Sequence, residues 1–242
     1  MKASAVDGRV KNSRRDPELT KREILDAAAA EFALQGPRGA RTDDIARRTN
    51  TSKRMIYYYF GSKEGLYEAV LRENYARIRS LEGNLGLDHL EPVEALRTLV
   101  SATLTHYERN PQMARIVALE NLVQQGKVAS RLDGFQELNQ TAPDTVERIL
   151  QRGREAGVMR SDPGAPSALD VHQVLSALTL NRIEHRATFK VAFGRDLLGP
   201  KDRAHVRALI EETVLRLVLA DPAQLGLPAE DSAPAGPARA AG

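Results

Sequence analysis

An all-α fold is what this sequence predicts. Apolar residues recur every three or four positions along most of the chain, strict apolar–polar alternation is absent, and β-branched runs are few. A period near 3.6 buries one face of a helix, whereas a half-buried strand needs a period of two. No internal repeat is visible, and no long linker interrupts the periodic stretches.

The elements follow from caps and breakers. The first helix can start at Asp16, with Pro17 in its first turn and Glu18 near the positive helix end. Thr20-Lys21-Arg22-Glu23 is an alternative capping box. Ile24, Ala28 and Phe32 fall on one face, and Gly36-Pro37 ends the helix. Two very short helices come next. Thr42 is expected to cap the first, Asp43 to Arg48, and Thr51 or Ser52 the second, Lys53 to Tyr58. Phe60-Gly61-Ser62 breaks the chain again, and Ser62 caps a long helix from Lys63 to about Arg79.

Longer amphipathic helices are expected in the remainder. Val93, Leu96, Val100, Leu104 and Tyr107 form one stripe. A nearly all-apolar helix runs from Gln112 to about Gln125, and another carries Val146, Ile149 and Leu150 and stops at Gly157. Val171, Val174, Leu175, Leu178 and Ile183 mark a further helix. Val206, Leu209, Ile210, Val214, Leu217 and Val218 mark the last. Such stripes are what helix packing requires. The two ends are poor in apolar residues and are expected to be a disordered basic arm (1–16) and a disordered tail (223–242).

Composition excludes several classes of chemistry. With no cysteine there is no disulfide, thiolate metal site or thiol redox sensor. The five histidines make no metal-ligand pattern, and no cofactor motif is present. No apolar run approaches the roughly 20 residues that span a bilayer. The charged start MKASAVDGRVKNSRRD lacks the apolar core of a signal peptide, so a soluble cytoplasmic protein is expected. Charge is unevenly placed. Residues 1–63 hold 14 Lys and Arg against 8 Asp and Glu, a balance of +6, which leaves −3 of the chain's +3 for the rest. A basic first quarter is suited to a polyanion.

That first quarter also carries a pattern. A helix, a short helix, a tight turn and a second short helix is the layout of a DNA-binding helix-turn-helix. The second short helix begins Lys53-Arg54-Met55 and ends Tyr57-Tyr58-Tyr59-Phe60. Lys and Arg reach phosphates or guanine edges in the major groove, and a tyrosine hydroxyl can donate to phosphate. Three adjacent tyrosines cannot all face one core at helical spacing, which argues against a purely structural corner. Ile45, Ala46, Ile56 and Phe60 supply the apolar contacts that hold the short helices to the first.

The stretch TKREILDAAAAEFALQGPRGARTDDIARRTNTSKRMIYYYFGSKEGLY resembles the N-terminal domain of the tetracycline-repressor (TetR) family. The carrier is Ile56-Tyr57-Tyr58-Tyr59-Phe60 followed by Ser62-Lys63-Glu64 and the apolar-aromatic pair Leu66-Tyr67, within a match over roughly residues 17–70. One departure is Gly36-Pro37, where the family has glycine followed by an aromatic residue. The resemblance implies that Thr42, Tyr57, Tyr59 and Lys63 contact phosphates and that Lys53, Arg54 and Met55 sit where base edges are read. Arg41 and Arg48 are further candidates for phosphate contact. Lys63 starts a helix, so its ammonium and the helix's first amides would face the same phosphate.

The resemblance further implies a helix-turn-helix domain (17–63) joined by a long helix to an all-helical ligand-binding and dimerisation domain (64–222). The last two long helices would form a four-helix bundle with a second subunit. A homodimer of this kind suits a palindromic double-stranded DNA operator. A small-molecule effector would then shift the population toward a conformation that misspaces the recognition helices. Candidate effector contacts are Glu120 and Asn121, polar residues inside an apolar helix, and Asn181 and His185 in the cluster Asn181, Arg182, His185, Arg186. Buried polar groups need partners, which a ligand or an internal hydrogen bond would supply. The alternatives are a regulator of the same fold controlled by a protein partner or acting as an activator, and, more distantly, an all-helical enzyme. Against the enzyme, no phosphate loop, nucleophile elbow or metal-binding pair is present.

Overall fold

The computed structural model describes residues 16–221, so the basic arm up to Arg15 and the tail from Pro222 lie outside the described residues. Within them the chain forms α1 (Pro17–Gly39), α2 (Thr42–Arg48), α3 (Lys53–Phe60), α4 (Lys63–Gly83), α5 (Pro92–Arg109), α6 (Pro111–Leu122), α7 (Phe135–Glu155), α8 (Ala168–Glu184), α9 (Arg186–Phe193) and α10 (Arg203–Val218). The fold is all-α, as the periodicity predicts. The one strand-like contact among the described residues is the isolated antiparallel bridge Met159–Leu219.

The helices divide into two packed units. The first comprises the described residues up to Ala76 together with Asn110–Phe135, and the second comprises Arg77–Arg109 and the described residues from Gln136. The first is built on α1. Asp16 Oδ1 accepts from the Glu18 amide at 3.0 Å, satisfying an amide that no earlier carbonyl can reach. Gly36 breaks the helix at φ 69°, ψ 168°, a conformation open to glycine alone at little cost, and one last turn runs to Gly39. Ile24, Ala28 and Phe32 are fully buried, as their spacing requires, and pack with Ile45, Ala46, Ile56, Leu66, Val70 and Leu71. Ile116 of α6 and Leu132 complete this core, and Asn74 Nδ2 donates to the Met113 carbonyl at 3.1 Å.

Of the caps expected for α2, α3 and α4, the last two are present. Ser52 Oγ accepts from the Met55 amide at 3.2 Å, and Ser62 Oγ from the Gly65 amide at 2.9 Å. Thr42 is not a cap. It is the first residue of α2, preceded by Arg41 with no side-chain cap, and its buried hydroxyl lies 3.4 Å from Tyr57 Oη. The aspartates at 43 and 44 supply the favourable charge at that helix start instead.

The second unit packs α8 and α10 on α5. Its core takes Leu96, Val100 and Leu104 from α5, Ile149 and Leu150 from α7, Val171 and Leu175 from α8, and Ile210, Val214 and Val218 from α10. Ser167 and Asp170 form a reciprocal capping box at the start of α8. Leu209, expected in the buried stripe of α10, is half exposed. The short helix α9 was not predicted. None of its residues is buried, and Val191 and Phe193 face solvent.

Candidate nucleic-acid interface

Burial of Ile45, Ala46 and Ile56 fixes α2 and α3 against α1 and turns the other side of α3 outward. Lys53 and Arg54 are exposed, Met55 is half-buried, Tyr57 is exposed, and Tyr58 keeps 77% of its surface. Tyr59 is half-buried, with its ring edge-on to Phe60 and the Lys21 ammonium 5.8 Å from its centroid. Tyr58 packs edge-on against the Tyr59 ring, and Tyr57 reaches toward Thr42, so the three tyrosines do not share one buried face.

An open groove of about 460 Å³ brings together Arg41, Thr42, Lys53, Tyr57 and Lys63. Thr42 and Tyr57 place two hydroxyls side by side, 3.4 Å apart. Lys63 is held from behind. Its ammonium donates to the carbonyl oxygens of Arg38 (3.1 Å) and Ala40 (3.3 Å), which leaves one of three N–H bonds for an outside acceptor. The ammonium thus ties the end of α1 to the start of α4. Lys53 pairs with Asp43 at 3.1 Å, both exposed, so the pair is weak enough to exchange for a phosphate. Arg54, Met55 and Tyr59 lie outside the groove's lining, on the rest of α3.

Arg48 is placed differently from expectation. It pairs with the buried carboxylate of Glu31 at 3.2 Å, a structural contact between α2 and α1. Tyr58 was not singled out from the sequence, although it occupies the variable position between the two matched tyrosines. Its neighbours' matches drew attention to the flanks, while exposure marks the centre.

The candidate effector contacts fall into different settings. Glu120 is buried in the first unit and bonded by its own chain. Its Oε1 accepts from the Val128 and Ala129 amides at 2.9 and 3.0 Å, and its Oε2 lies 3.4 Å from Tyr67 Oη. Burial and the Glu120 charge push the Tyr67 phenol well above its ordinary range, so it stays a donor. Asn121 is exposed and bonds back to the Val117 carbonyl. Asn181 and His185, in the second unit, are exposed and bond each other at 3.1 Å. Arg182 beside them is buried and paired with Glu108 at 2.6 Å.

A small trihelical head with a solvent-facing recognition helix of Lys, Arg and Tyr defines a helix-turn-helix DNA-binding protein. Residues 24–70 match the model of bacterial regulatory proteins of the tetR family, and residues 92–214 match that of the tetracyclin repressor-like C-terminal domain. The transcriptional repressor NicS of Pseudomonas putida is 32% identical over 199 residues, covering 82% of this chain and 92% of the relative. The repressor SCO4008 of Streptomyces coelicolor is 34% identical over 110 residues, 45% of this chain and 53% of the relative. Among solved structures, a tetR-family regulatory protein from Rhodococcus RHA1 superposes with TM-score 0.64 at 20% identity, covering 84% of this chain and 98% of that one. The ketosteroid regulator KstR2 of Mycobacterium tuberculosis gives 0.62 at 22%, covering 83% and 95%. These last two speak for the fold. The chain belongs to the TetR family of transcriptional regulators. That is a family of DNA-binding regulators, and the enzyme reading is set aside on this ground. No helix among the described residues is long and apolar enough to cross a membrane.

Proposed function

We propose that the protein is a homodimeric cytoplasmic repressor that binds a palindromic operator and leaves it when a small-molecule effector binds. The observation that carries the DNA-binding part is the groove that gathers Arg41, Thr42, Lys53, Tyr57 and Lys63 beside α3. Three cationic groups and the two hydroxyls of Thr42 and Tyr57 around one concavity, against the carboxylates of Asp43 and Glu64, suit a backbone phosphate, and phosphate contacts set register on the duplex. Arg54, Met55 and Tyr58 on the exposed side of α3 then meet base edges. Repression as the sign of control is supported by the relatives' description as repressors. The effector part rests on the family, and the partition into a DNA-binding head (17–63) and a ligand-binding, dimerising body (64–222) is part of the same reading.

The test is fluorescence anisotropy of the purified protein with duplex DNA from upstream of its own coding region. Tight binding that resists competitor DNA, falls steeply with salt, and is lost in the Tyr57→Phe/Lys63→Met double variant is the expected result. Binding that is equal for all sequences, or unaffected by the double variant, would overturn it.

A further inference from the structure

Glu108 on α5 holds two arginines at once. Its Oε1 lies 2.6 Å from Arg182 Nη1 of α8 and 3.0 Å from Arg207 Nη1 of α10. Arg182 is only 2% exposed and also donates to the Leu104 carbonyl at 3.1 Å. Arg207 Nη2 donates to the Ser101 and Thr105 hydroxyls at 3.0 and 3.1 Å. Two guanidiniums on one carboxylate leave a fixed positive charge, held rigidly by three helices.

Above this triad lies an open cleft of about 860 Å³ between α5 and α10, within the size range of ligand sites. Arg109 and Arg203 stand on its rim, both exposed, and neither has an ion-pair partner among the described residues. Of the other charges of the lining, Glu211 takes Arg97, and Glu212 pairs at 2.7 Å with Arg216, which stands outside the cleft. The lining therefore carries four arginines against three glutamates, a net charge of +1, and the buried Arg182 beneath Glu108 adds a further positive charge. Residues 64–242 carry −3 as a whole, so this excess is a local concentration against the trend. The lining has no aromatic side chain, and its apolar residues are Ala204, Ala208 and Leu215, which offer no stacking face for a flat ring.

We propose that this α5–α10 cleft binds a small polyanion bearing two or more carboxylate or phosphate groups, with Arg109 and Arg203 as its primary contacts and Arg207 beneath. Guanidinium groups recognise such acids with paired, charge-assisted hydrogen bonds, and a concave site focuses the field that draws them in. The role of this ligand as the effector rests on the ligand-released repressor reading above; its binding does not.

The experiment is calorimetric titration of the full chain with citrate, glutarate and inorganic pyrophosphate, at ionic strength held constant with sodium chloride. At least one should bind saturably, once per protomer. The Arg109→Gln/Arg203→Gln variant should bind it at least tenfold more weakly, and Arg115→Gln, which removes an exposed arginine of α6, should bind it unchanged. The proposal falls if none of the three binds, or if the double variant binds as the parent does. It also falls if the double variant dissociates to monomers where the parent is dimeric, because the cleft is then filled by a second copy's carboxylates. Operator anisotropy run in parallel separates the two readings. Binding of the polyanion without release of DNA keeps the site and removes its effector role. Absence of any operator binding refutes the regulator reading and leaves the cleft to the calorimetry.

Discussion

Lys63 joins two tasks in one side chain. Its ammonium closes the carbonyls of Arg38 and Ala40, and its remaining N–H faces the groove with Thr42 and Tyr57. Lys63→Met therefore removes a brace and, in the proposed function, a phosphate contact. The expected loss of folding stability is about 1 kcal/mol, small because the ammonium is partly solvated. The slope of log affinity against log salt should fall by about 1. Denaturant unfolding and a salt series of operator titrations read the two effects apart. A normal slope would make Lys63 a brace alone. At this scale the sequence motif named Thr42, Tyr57 and Lys63, which line one groove, yet it could not show the carbonyls behind Lys63, which lie 23 and 25 residues away in the chain. Glu120 illustrates the same limit. Its place in an apolar helix flagged a buried acid in need of partners, but the partners are backbone amides of a later turn that no periodicity reveals.

Between α3 and α4 the chain turns in two residues, and the turn sets how the recognition helix is presented. Gly65 sits one turn into α4, where an added Cβ would lie 2.3 Å from the carbonyl oxygen of Phe60. Helix propensity alone favours alanine over glycine by nearly 1 kcal/mol. The clash opposes it and involves backbone, which cannot move aside without moving α3. Gly65→Ala should therefore lose about 2 kcal/mol of stability and weaken operator binding. A thermal midpoint equal to or above that of the parent would show that the α3–α4 junction yields freely. Element boundaries were the readable part of this sequence wherever a capping Ser, an Asp or a glycine break marks them. The short helix α9 escaped because only Phe189 of its eight residues packs on the core, too little to make an apolar stripe. Thr42 was read as a cap for a sound local reason, but its hydroxyl is turned toward Tyr57 by the packing of α2 on its neighbours.

At the scale of the whole molecule, the all-helical class and the basic head against an acidic remainder were legible from period and charge. The grouping of Asn110–Phe135 with the first unit was not, since it depends on Ile116 and Leu132 entering a core formed by Ile24 to Leu71, far earlier in the chain. The second unit also carries a pH response. Burial, aided by the nearby Arg79, lowers the His172 pKa to about 4, and burial lowers that of His106 as well. The folded form thus holds these imidazoles neutral. Their contribution is complete above the unfolded value near 6.5 and is lost as pH falls toward 4, because the unfolded chain takes up the protons first. Glu82, raised by burial, pulls in the opposite sense on acidification. The clean readout is the difference between proteins: between pH 7 and 5 the melting temperature should fall more for the parent than for His172→Gln. Parallel curves would show that His172 titrates normally.

In the proposed function, the exposed side of α3 and the groove beside it read DNA as part of a two-fold dimer. Footprinting of the full-length protein on the region upstream of its own coding sequence tests this most directly. One protected segment with an inverted repeat is expected, sequence-relaxed by Arg54→Ala and abolished by Tyr57→Phe/Lys63→Met. Protection that is absent, or that persists in the double variant, would contradict it.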